Sequence, residues 1–173
     1  QYNDTTLIRW AGGAAFCIRK QVFMDLGGFD DGFFMHFEEI DLSLRALAKG
    51  WQIHYLGSAQ VKHQGGASLQ KNDPKKLFYN IRNSMLTFTK TLPFFVFLPW
   101  LTSRLVFDFF LGLYFLLTGR FRHLLAIVRA HHSFFYLFPR YWKKRENSFQ
   151  SLQSTSVFFE YIKMKIYPKY DIR

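Results

Sequence analysis

Apolar residues recur with a helical period in three stretches of the chain before residue 92. The clearest stretch, residues 38–50, places apolar side chains at i, i+4, i+7 and i+8, namely Ile40, Leu44, Leu47 and Ala48. This spacing predicts a helix, and the glycine at its end is a typical helix terminator. Residues 74–91 predict a second helix with one apolar face, and residues 19–26 predict a short helix that stops at Gly27-Gly28.

Shorter segments alternate between apolar and polar residues, as strands do. Residues 7–18 predict a strand, a turn at Gly12-Gly13 and a second strand. Residues 53–55 and 59–61 predict two further strands on either side of a Gly-Ser turn. Helices and strands together indicate an α/β fold for residues 1–91.

The pattern changes at residue 92, where an apolar stretch begins that is long enough to cross a bilayer. Pro93 and Pro99 are expected to break the start of this stretch. Arg104 and Asp108 lie inside it, where each charge would cost about 2.5–3.5 kcal/mol at the bilayer centre. Their i, i+4 spacing allows them to neutralise one another in part. A second apolar helix is predicted over residues 123–138, ended by the proline that follows.

The two apolar helices predict a hairpin over residues 92–140 with basic residues at its ends and aromatic residues along its edges. Such helices suit association with the membrane interface. A transmembrane or re-entrant hairpin, and docking onto soluble protein outside the chain, stay open as alternatives. The pair His131-His132 has no partner at metal-ligand spacing and is interpreted as an interfacial pair. Residues 141–173 form a basic-aromatic tail.

The positive charge of the chain is concentrated in its second part. Of the net charge of +11, residues 1–73 contribute −1, with seven Lys and Arg against eight Asp and Glu, and residues 74–173 contribute +12. Positive charge mixed with dense Phe and Leu indicates contact with an anionic membrane surface. Nucleic acid is not expected as a partner, because no nucleic-acid-binding module is recognisable. The single cysteine, Cys17, fits a reducing compartment and is expected to be a small buried hydrophobe.

An acidic cluster at the start of the helix over residues 38–50 is the main candidate for chemistry. Glu38, Glu39 and Asp41 lie beside His36 and four phenylalanines of residues 29–37. Acidic residues favour the dipole of a helix at its first turn, which is the simplest explanation. That explanation does not account for the aromatic surroundings, which would desolvate a carboxylate and raise its pKa. The helix start lowers the pKa, and the sequence alone leaves open which effect dominates.

Five motifs in order carry a resemblance to a known family. They are Trp-Ala-Gly-Gly-Ala at residues 10–14, the acidic segment 22–45, Gly50-Trp51, Val-Lys-His-Gln-Gly-Gly-Ala-Ser at 61–68 and Tyr-Asn-Ile-Arg-Asn at 79–83. This series resembles the C-terminal half of the catalytic domain of family 2 glycosyltransferases, which have the GT-A fold. Within that family it is most similar to rhamnosyltransferase-like members that build bacterial surface polysaccharide.

The resemblance implies inverting transfer of a sugar from a nucleotide-diphosphate sugar to a hydroxyl of a glycan or lipid-linked acceptor. The acidic pair of the family falls on Glu38-Glu39, with Glu39 as the catalytic base where the family usually has Asp. Asp41 matches the acid that follows two residues later, for which the resemblance implies that it orients either the acceptor hydroxyls or the helix. The loop that would line the donor-sugar and acceptor pocket contains Trp10, Gly12, Gly13 and Ala14. Two further candidate substrate-binding residues are His36 and Arg82.

The resemblance also implies a divalent cation, Mg²⁺ or Mn²⁺, at the donor diphosphate, with His63 as a candidate ligand. From the residues alone, His63 at a strand end before a glycine pair is either a metal or phosphate contact or a structural histidine. The Asp-x-Asp metal motif of the family does not occur in the chain, and neither do its nucleotide-binding units. The chain by itself is therefore expected to be inactive.

Two classes of function are consistent with these sequence features. The first is a glycosyltransferase at the cytoplasmic face of the bacterial inner membrane. Its fold would be the C-terminal portion of a GT-A mixed sheet with flanking helices, followed by an α-helical membrane-associated hairpin. The alternative is a non-enzymatic membrane-surface interaction module, in which residues 74–173 carry the function.

Overall fold

The computed structural model describes residues 5–63 and 72–145. Its elements in chain order are β1 (Thr6–Ile8), α1 (Lys20–Asp25), α2 (Glu38–Ala48), β2 (Ile53–Tyr55), α3 (Pro74–Thr91), α4 (Phe94–Leu117) and α5 (Phe121–Lys143). The helices predicted from the apolar period are confirmed: α3 has the predicted bounds, and α1 and α2 lie within theirs.

The strands form a two-stranded antiparallel sheet in which Leu7 of β1 is opposite His54 of β2. The further strands predicted near residues 14–18 and at 59–61 are absent from the described residues, so those predictions are wrong there. A strand needs a neighbour for its backbone groups, and within 5–63 and 72–145 only β1 and β2 pair. Cys17 was expected to be buried, but it is exposed. Two strands do not define a sheet order, so the GT-A sheet stays a prediction.

Helix α2 packs through two different faces. Leu42 and Ala46 contact Val22 of α1 and the leucine that follows α1. On another face, Leu44 packs against the half-buried ring of Trp10. The segments before α2 are therefore organised around this helix, as its strong apolar period predicted.

Helix α3 is the most deeply buried helix of the described chain. The Asp73 side chain caps its start by accepting a hydrogen bond of 2.8 Å from the backbone N–H of Lys75. Every residue from 83 to 93 is buried, and α3 packs chiefly against α5. The shared core contains Phe33, Ile81, Met85, Leu86, Phe88, Leu92, Phe97, Trp100, Phe115, Ile127, Ala130, Phe134 and Tyr141. This core extends across residue 91, so α3 shares it with both helices of the hairpin.

Both helices of the hairpin continue through a proline, contrary to prediction. Pro99 lies inside α4, and Pro139 lies inside α5, which continues to Lys143. An interior proline costs about 3 kcal/mol because it removes one hydrogen bond and crowds the preceding turn. Apolar packing on both sides of each proline opposes this cost: Phe97 and Trp100 are buried beside the first, and Phe134 and Tyr141 beside the second.

By length and composition alone, α4 could cross a membrane, and the described chain covers little of its apolar surface. Its exposed large apolar side chains are Phe94, Phe95, Leu98, Val106, Phe107, Phe109, Phe110, Leu113, Tyr114, Leu116 and Leu117. The predicted pairing of Arg104 with Asp108 is confirmed, since Arg104 Nε donates to Asp108 Oδ2 at 2.8 Å. His131 Nε2 lies 3.0 Å from the same oxygen. His131 therefore has a partner inside the hairpin, which its interpretation as an interfacial residue did not foresee.

Candidate functional site

The loop before α2 ends in two residues with an unfavourable backbone conformation. His36 has a φ of 62° and Phe37 has a φ of 73°, both in the left-handed region that favours glycine. Such conformations cost of order 1–3 kcal/mol each and persist only where their surroundings hold them. Because Phe37 directly precedes α2, this turn sets the direction in which Glu38 and Glu39 leave the loop.

Residues of α3 hold this loop in place. The buried Asn83 side chain donates two hydrogen bonds of 2.7 Å from Nδ2, to the carbonyl oxygens of Met35 and His36. Arg82 Nη2 donates to the Gly32 carbonyl oxygen at 2.8 Å, and its Nε donates to Asn83 Oδ1 at 2.8 Å. The structure thus places Arg82 in a clamp on the loop, and its predicted contact with substrate stays a prediction.

Asp41 is fully buried between two cations. Its Oδ2 accepts a hydrogen bond of 2.9 Å from Arg45 Nε, and its Oδ1 pairs with Lys90 of α3. Arg45 also donates to the carbonyl oxygens of Leu26 at 2.6 Å and Gly28 at 2.8 Å. Asp41 therefore fastens α2 to α3 and, through Arg45, to the end of α1. The predicted role of Asp41 beside the acceptor stays a prediction.

The Glu39 carboxylate lies in a partly desolvated position at the first turn of α2. Burial raises the pKa of Glu39, and the neighbouring charge of Glu38 raises it further. Backbone hydrogen bonds at the helix start and from Gly13 act in the opposite direction but are outweighed. Burial thus dominates, which answers the question that the sequence left open. Glu39 Oε2 is buried and has no hydrogen-bond partner within the described residues.

The glycine loop predicted to line the site lies directly against this carboxylate. A Cβ atom at Gly13 would be 3.6 Å from Glu39 Cδ, so the loop backbone passes over the acid. The backbone N–H of Ala11 donates to Ser43 Oγ at 3.3 Å, which ties the loop to α2. Ser43 was not predicted, although its position four residues after Glu39 on a helix is a signal that could have identified it.

Glu39 opens into a cavity of about 980 Å³. Gly12 and Ser43 line this cavity together with apolar side chains of residues 15–22 and 50–56. Trp10 is half-buried against α2, and Ala14 is exposed at the end of the glycine loop. The structure therefore brings Gly12, Gly13 and Glu39 together. The cavity offers a half-buried carboxylate beside two glycines, a geometry that admits a hydroxyl-bearing substrate.

The predicted metal site is not formed by the described residues. His63 is exposed, and the glycine pair that follows it lies in residues 64–71, outside the described residues. Within residues 5–63 and 72–145, no group of three or more His, Cys, Asp or Glu side chains could hold a metal ion. Mg²⁺ requires an octahedral set of oxygen ligands, which one exposed histidine does not supply. The described residues therefore do not fit the cation by themselves.

Part of the chain is similar to bacterial rhamnosyltransferases. It is 33% identical over 70 residues to N-acetylglucosaminyl-diphospho-decaprenol L-rhamnosyltransferase from Mycobacterium tuberculosis (strain ATCC 25618 / H37Rv), a match that covers 40% of this chain and 23% of the relative. It is 37% identical over 62 residues to rhamnosyltransferase WbbL from Escherichia coli (strain K12), covering 36% of this chain and 23% of that protein. These matches relate the chain to glycosyltransferases over less than a quarter of each relative's length.

No protein-family model matches the chain. No solved structure matches it either.

Proposed function

We propose that this chain carries the acceptor-activating part of an inverting glycosyltransferase in bacterial surface polysaccharide synthesis. The observation that carries the proposal is the half-buried Glu39 carboxylate, with its raised pKa, beneath the backbone of Gly13 and at the edge of a large cavity. The similarity to rhamnosyltransferases supports the same reaction class. Membership of family 2 and the GT-A fold are part of the proposal.

In this proposal Glu39 removes a proton from an acceptor hydroxyl while the hydroxyl oxygen attacks the anomeric carbon of the donor sugar. The bond from that carbon to the nucleoside diphosphate breaks on the opposite face, and the nucleoside diphosphate leaves with the bonding electrons. The configuration at the carbon is thereby inverted, and Glu39 returns its proton to solvent. Glu38 supports the basicity of Glu39 through its charge, and Asp41 acts as a positioning residue for α2.

The proposed substrates are those that the family resemblance and the rhamnosyltransferase relatives suggest. The donor is a nucleotide-diphosphate sugar, with rhamnose as the first sugar to test, and the acceptor is a glycan or a lipid-linked sugar. Trp10, Gly12, Gly13, Ala14 and His36 would lie at the donor-sugar and acceptor side of the cavity. A divalent cation at the donor diphosphate would supply positive charge to the leaving group.

The enzyme is proposed to work at the cytoplasmic face of the bacterial inner membrane. The support is the exposed apolar surface of α4, combined with the charge of +12 on residues 74–173. The lipid-linked acceptor named for the mycobacterial relative agrees with such a location. Whether α4 lies in the interface or spans the bilayer does not alter the chemistry at Glu39.

The acid limb of the pH profile tests this proposal. In the full-length protein, kcat/KM should fall with decreasing pH through an ionisation above 4.5, the ordinary pKa of glutamate, because the base must be ionised to accept a proton. The dissociation constant of the nucleotide-sugar donor, measured over the same range, should not follow this limb. A kcat/KM that stays flat down to pH 4.5 would remove Glu39 from the role of base.

The second candidate function is a non-enzymatic membrane-surface module, favoured by the same exposed face of α4. An assay of sugar transfer separates the two candidate functions. If the protein is a membrane-surface module, the full-length protein should bind vesicles but transfer no sugar from any donor. If it is an enzyme, it should bind vesicles and also transfer sugar. Vesicle binding should weaken with salt in either case, because basic residues near the surface are screened.

A further inference from the structure

A strongly basic pocket of about 410 Å³ lies where residues 26–31 meet the C-terminal end of α5. Among the residues that the structure describes, it shares no lining residue with the cavity at Glu39. The described residues that line it include six cationic and two anionic side chains: Arg45, Lys90, Arg140, Lys143, Lys144 and Arg145, with Asp30 and Asp31.

The Asp30 carboxylate accepts hydrogen bonds from four groups of the protein itself. Its Oδ2 accepts from Lys90 Nζ at 3.1 Å and from Lys144 Nζ at 2.7 Å. Its Oδ1 accepts from the Tyr141 hydroxyl at 3.1 Å and from the backbone N–H of Gly32 at 3.1 Å. Burial alone would raise the pKa of Asp30, but the two lysines hold it well below its usual range. Asp30 is therefore an ionised, saturated acceptor that organises the pocket.

The cations of the pocket outnumber its anions even when the buried carboxylate behind it is included. Asp41 pairs with Arg45 and Lys90, and Asp30 pairs with Lys90 and Lys144. With the exposed Asp31, three negative charges face six positive charges within the described part of the chain. The difference of about three charges matches an anion with several charged oxygens.

The uncompensated charge lies on the last turn of α5 and just beyond it. Arg140 and Lys143 are exposed, and neither has an acidic partner within ion-pair distance among the described residues. Arg145 donates to the carbonyl oxygens of Thr89 and Leu92, which carry no net charge. Three neighbouring cations are thus available to an anion at the mouth of the pocket.

An apolar surface begins next to these cations. The Arg145 guanidinium lies 4.4 Å from the centre of the Trp142 ring, and that ring contacts Phe94 at 5.9 Å between centroids. Phe94 and the neighbouring Phe95 are exposed at the start of α4, the latter by 76%. A ligand with an anionic head and an apolar tail would find both of its parts complemented at this end of the hairpin.

We propose that this pocket binds the phosphate or diphosphate group of a membrane lipid. Arginine and lysine on α5 contact the phosphate oxygens, since guanidinium groups bind them in a bidentate manner. The lipid chain lies along Phe94, Phe95 and Trp142. Either an anionic phospholipid or a lipid-linked diphosphate supplies this chemistry. The inference concerns binding only and stands whether or not Glu39 is a base.

Paired charge-removing variants of the full-length protein test the inference. Arg140→Gln/Lys143→Gln removes two charges from the pocket. Arg122→Gln/Arg129→Gln removes two charges from exposed positions elsewhere on α5 and is the matched control. Inorganic pyrophosphate is the soluble probe, measured by calorimetry in detergent. The pocket variant should weaken pyrophosphate binding by about tenfold or more, because each lost contact is a charge-assisted hydrogen bond. The control should bind like the wild type.

Vesicles distinguish a lipid source from a free phosphate. Phosphatidylglycerol vesicles should bind the wild type and the control more tightly than the pocket variant, and pyrophosphate should compete with them. Phosphatidylcholine vesicles that contain a polyprenyl diphosphate should show the same order if that lipid is the source. Equal losses in both variants would show a diffuse charge effect and overturn the inference. So would pyrophosphate binding without competition against either kind of vesicle, which would leave only a soluble phosphate as ligand.

Discussion

The hydroxyl of Tyr141 donates a hydrogen bond to Oδ1 of Asp30 at 3.1 Å across 111 residues of sequence. Burial raises the pKa of Tyr141, and the adjacent Asp30 charge raises it further, so the hydroxyl stays protonated and remains a donor. This contact joins the loop that leads to Glu39 with the last turn of the hairpin. The geometry of the proposed catalytic base, Glu39, therefore depends on a helix of the predicted membrane-associated hairpin.

Gly32 makes room for this contact, and a substitution there should expose it. A Cβ atom at Gly32 would lie 1.8 Å from the Tyr141 hydroxyl oxygen, so Gly32→Ala forces either the ring or the loop to move. We expect a loss of about 1–3 kcal/mol in the free energy of unfolding, which is typical of overpacking. Tyr141→Phe removes the clashing atom. The double variant should therefore lose less than the sum of the single variants in detergent-solubilised protein. Additive losses would contradict the direct contact.

The Asn83 side chain is expected to contribute more to the free energy of unfolding than an amide side chain that bonds only within its own helix. Asn83→Ala removes two hydrogen bonds to the half-buried carbonyl groups of Met35 and His36, at about 0.5–1.5 kcal/mol for each bond. The matched control is Asn80→Ala, whose amide donates to the Lys76 carbonyl oxygen within α3 and, among the described residues, to no other group. Denaturant unfolding should show a clearly larger loss for Asn83→Ala. Similar losses for both variants would mean that the loop is held by other groups.

Removing one partner of the buried ion pair in the hairpin should destabilise the protein more than removing both. Asp108→Ala leaves Arg104 and His131 without their acidic partner, and we expect a loss of about 3–5 kcal/mol. Replacing Asp108 together with its arginine partner, as in Arg104→Leu/Asp108→Leu, should cost less than Asp108→Ala alone, because the Arg104 charge is no longer left uncompensated; His131 loses its partner in both variants. Thermal unfolding in detergent measures both variants. A double variant at least as unstable as Asp108→Ala would contradict this explanation.

The raised pKa of Glu39 predicts a pH-dependent difference in stability. Folding favours the protonated carboxyl, so its contribution to stability is complete below pH 4.5 and is lost as the pH rises through the raised pKa of the folded protein. Glu39→Gln mimics the protonated form. At neutral pH it should unfold at a higher temperature than the wild type, and the difference should shrink toward pH 4.5. A difference that does not change with pH would contradict the desolvation of Glu39.

Helix positions were predictable because apolar side chains repeat along one face. The bounds of α3 and the extent of α2 follow from that repeat and from Asp73 and Gly50 at their ends. Pro99 and Pro139 do not end their helices, because the packing of the apolar residues around each proline outweighs its local cost. The strand predicted around Cys17 does not form among the described residues, because alternation of apolar and polar residues does not by itself supply a neighbouring strand.

The residue types of the candidate site could be predicted from the sequence, but the contacts that hold them in place could not. The family resemblance pointed to the glycine loop and to Glu39, and the structure adds the contact of Gly13 with the Glu39 carboxylate. The left-handed turn at His36 and Phe37 has no signal in sequence, since neither residue is a glycine. The Asp30–Tyr141 contact could not be predicted from the sequence either, because it depends on how α5 packs on α3.

The rate of sugar transfer by full-length Glu39→Gln tests the central claim most directly. Asp25→Asn, which neutralises an exposed acid, is the control. Transfer should fall by about 10²–10⁴-fold in Glu39→Gln, the usual contribution of a general base, while the dissociation constant of the nucleotide-sugar donor stays unchanged. Transfer by Glu39→Gln at the rate of the Asp25→Asn control would contradict the assignment of Glu39 as the base.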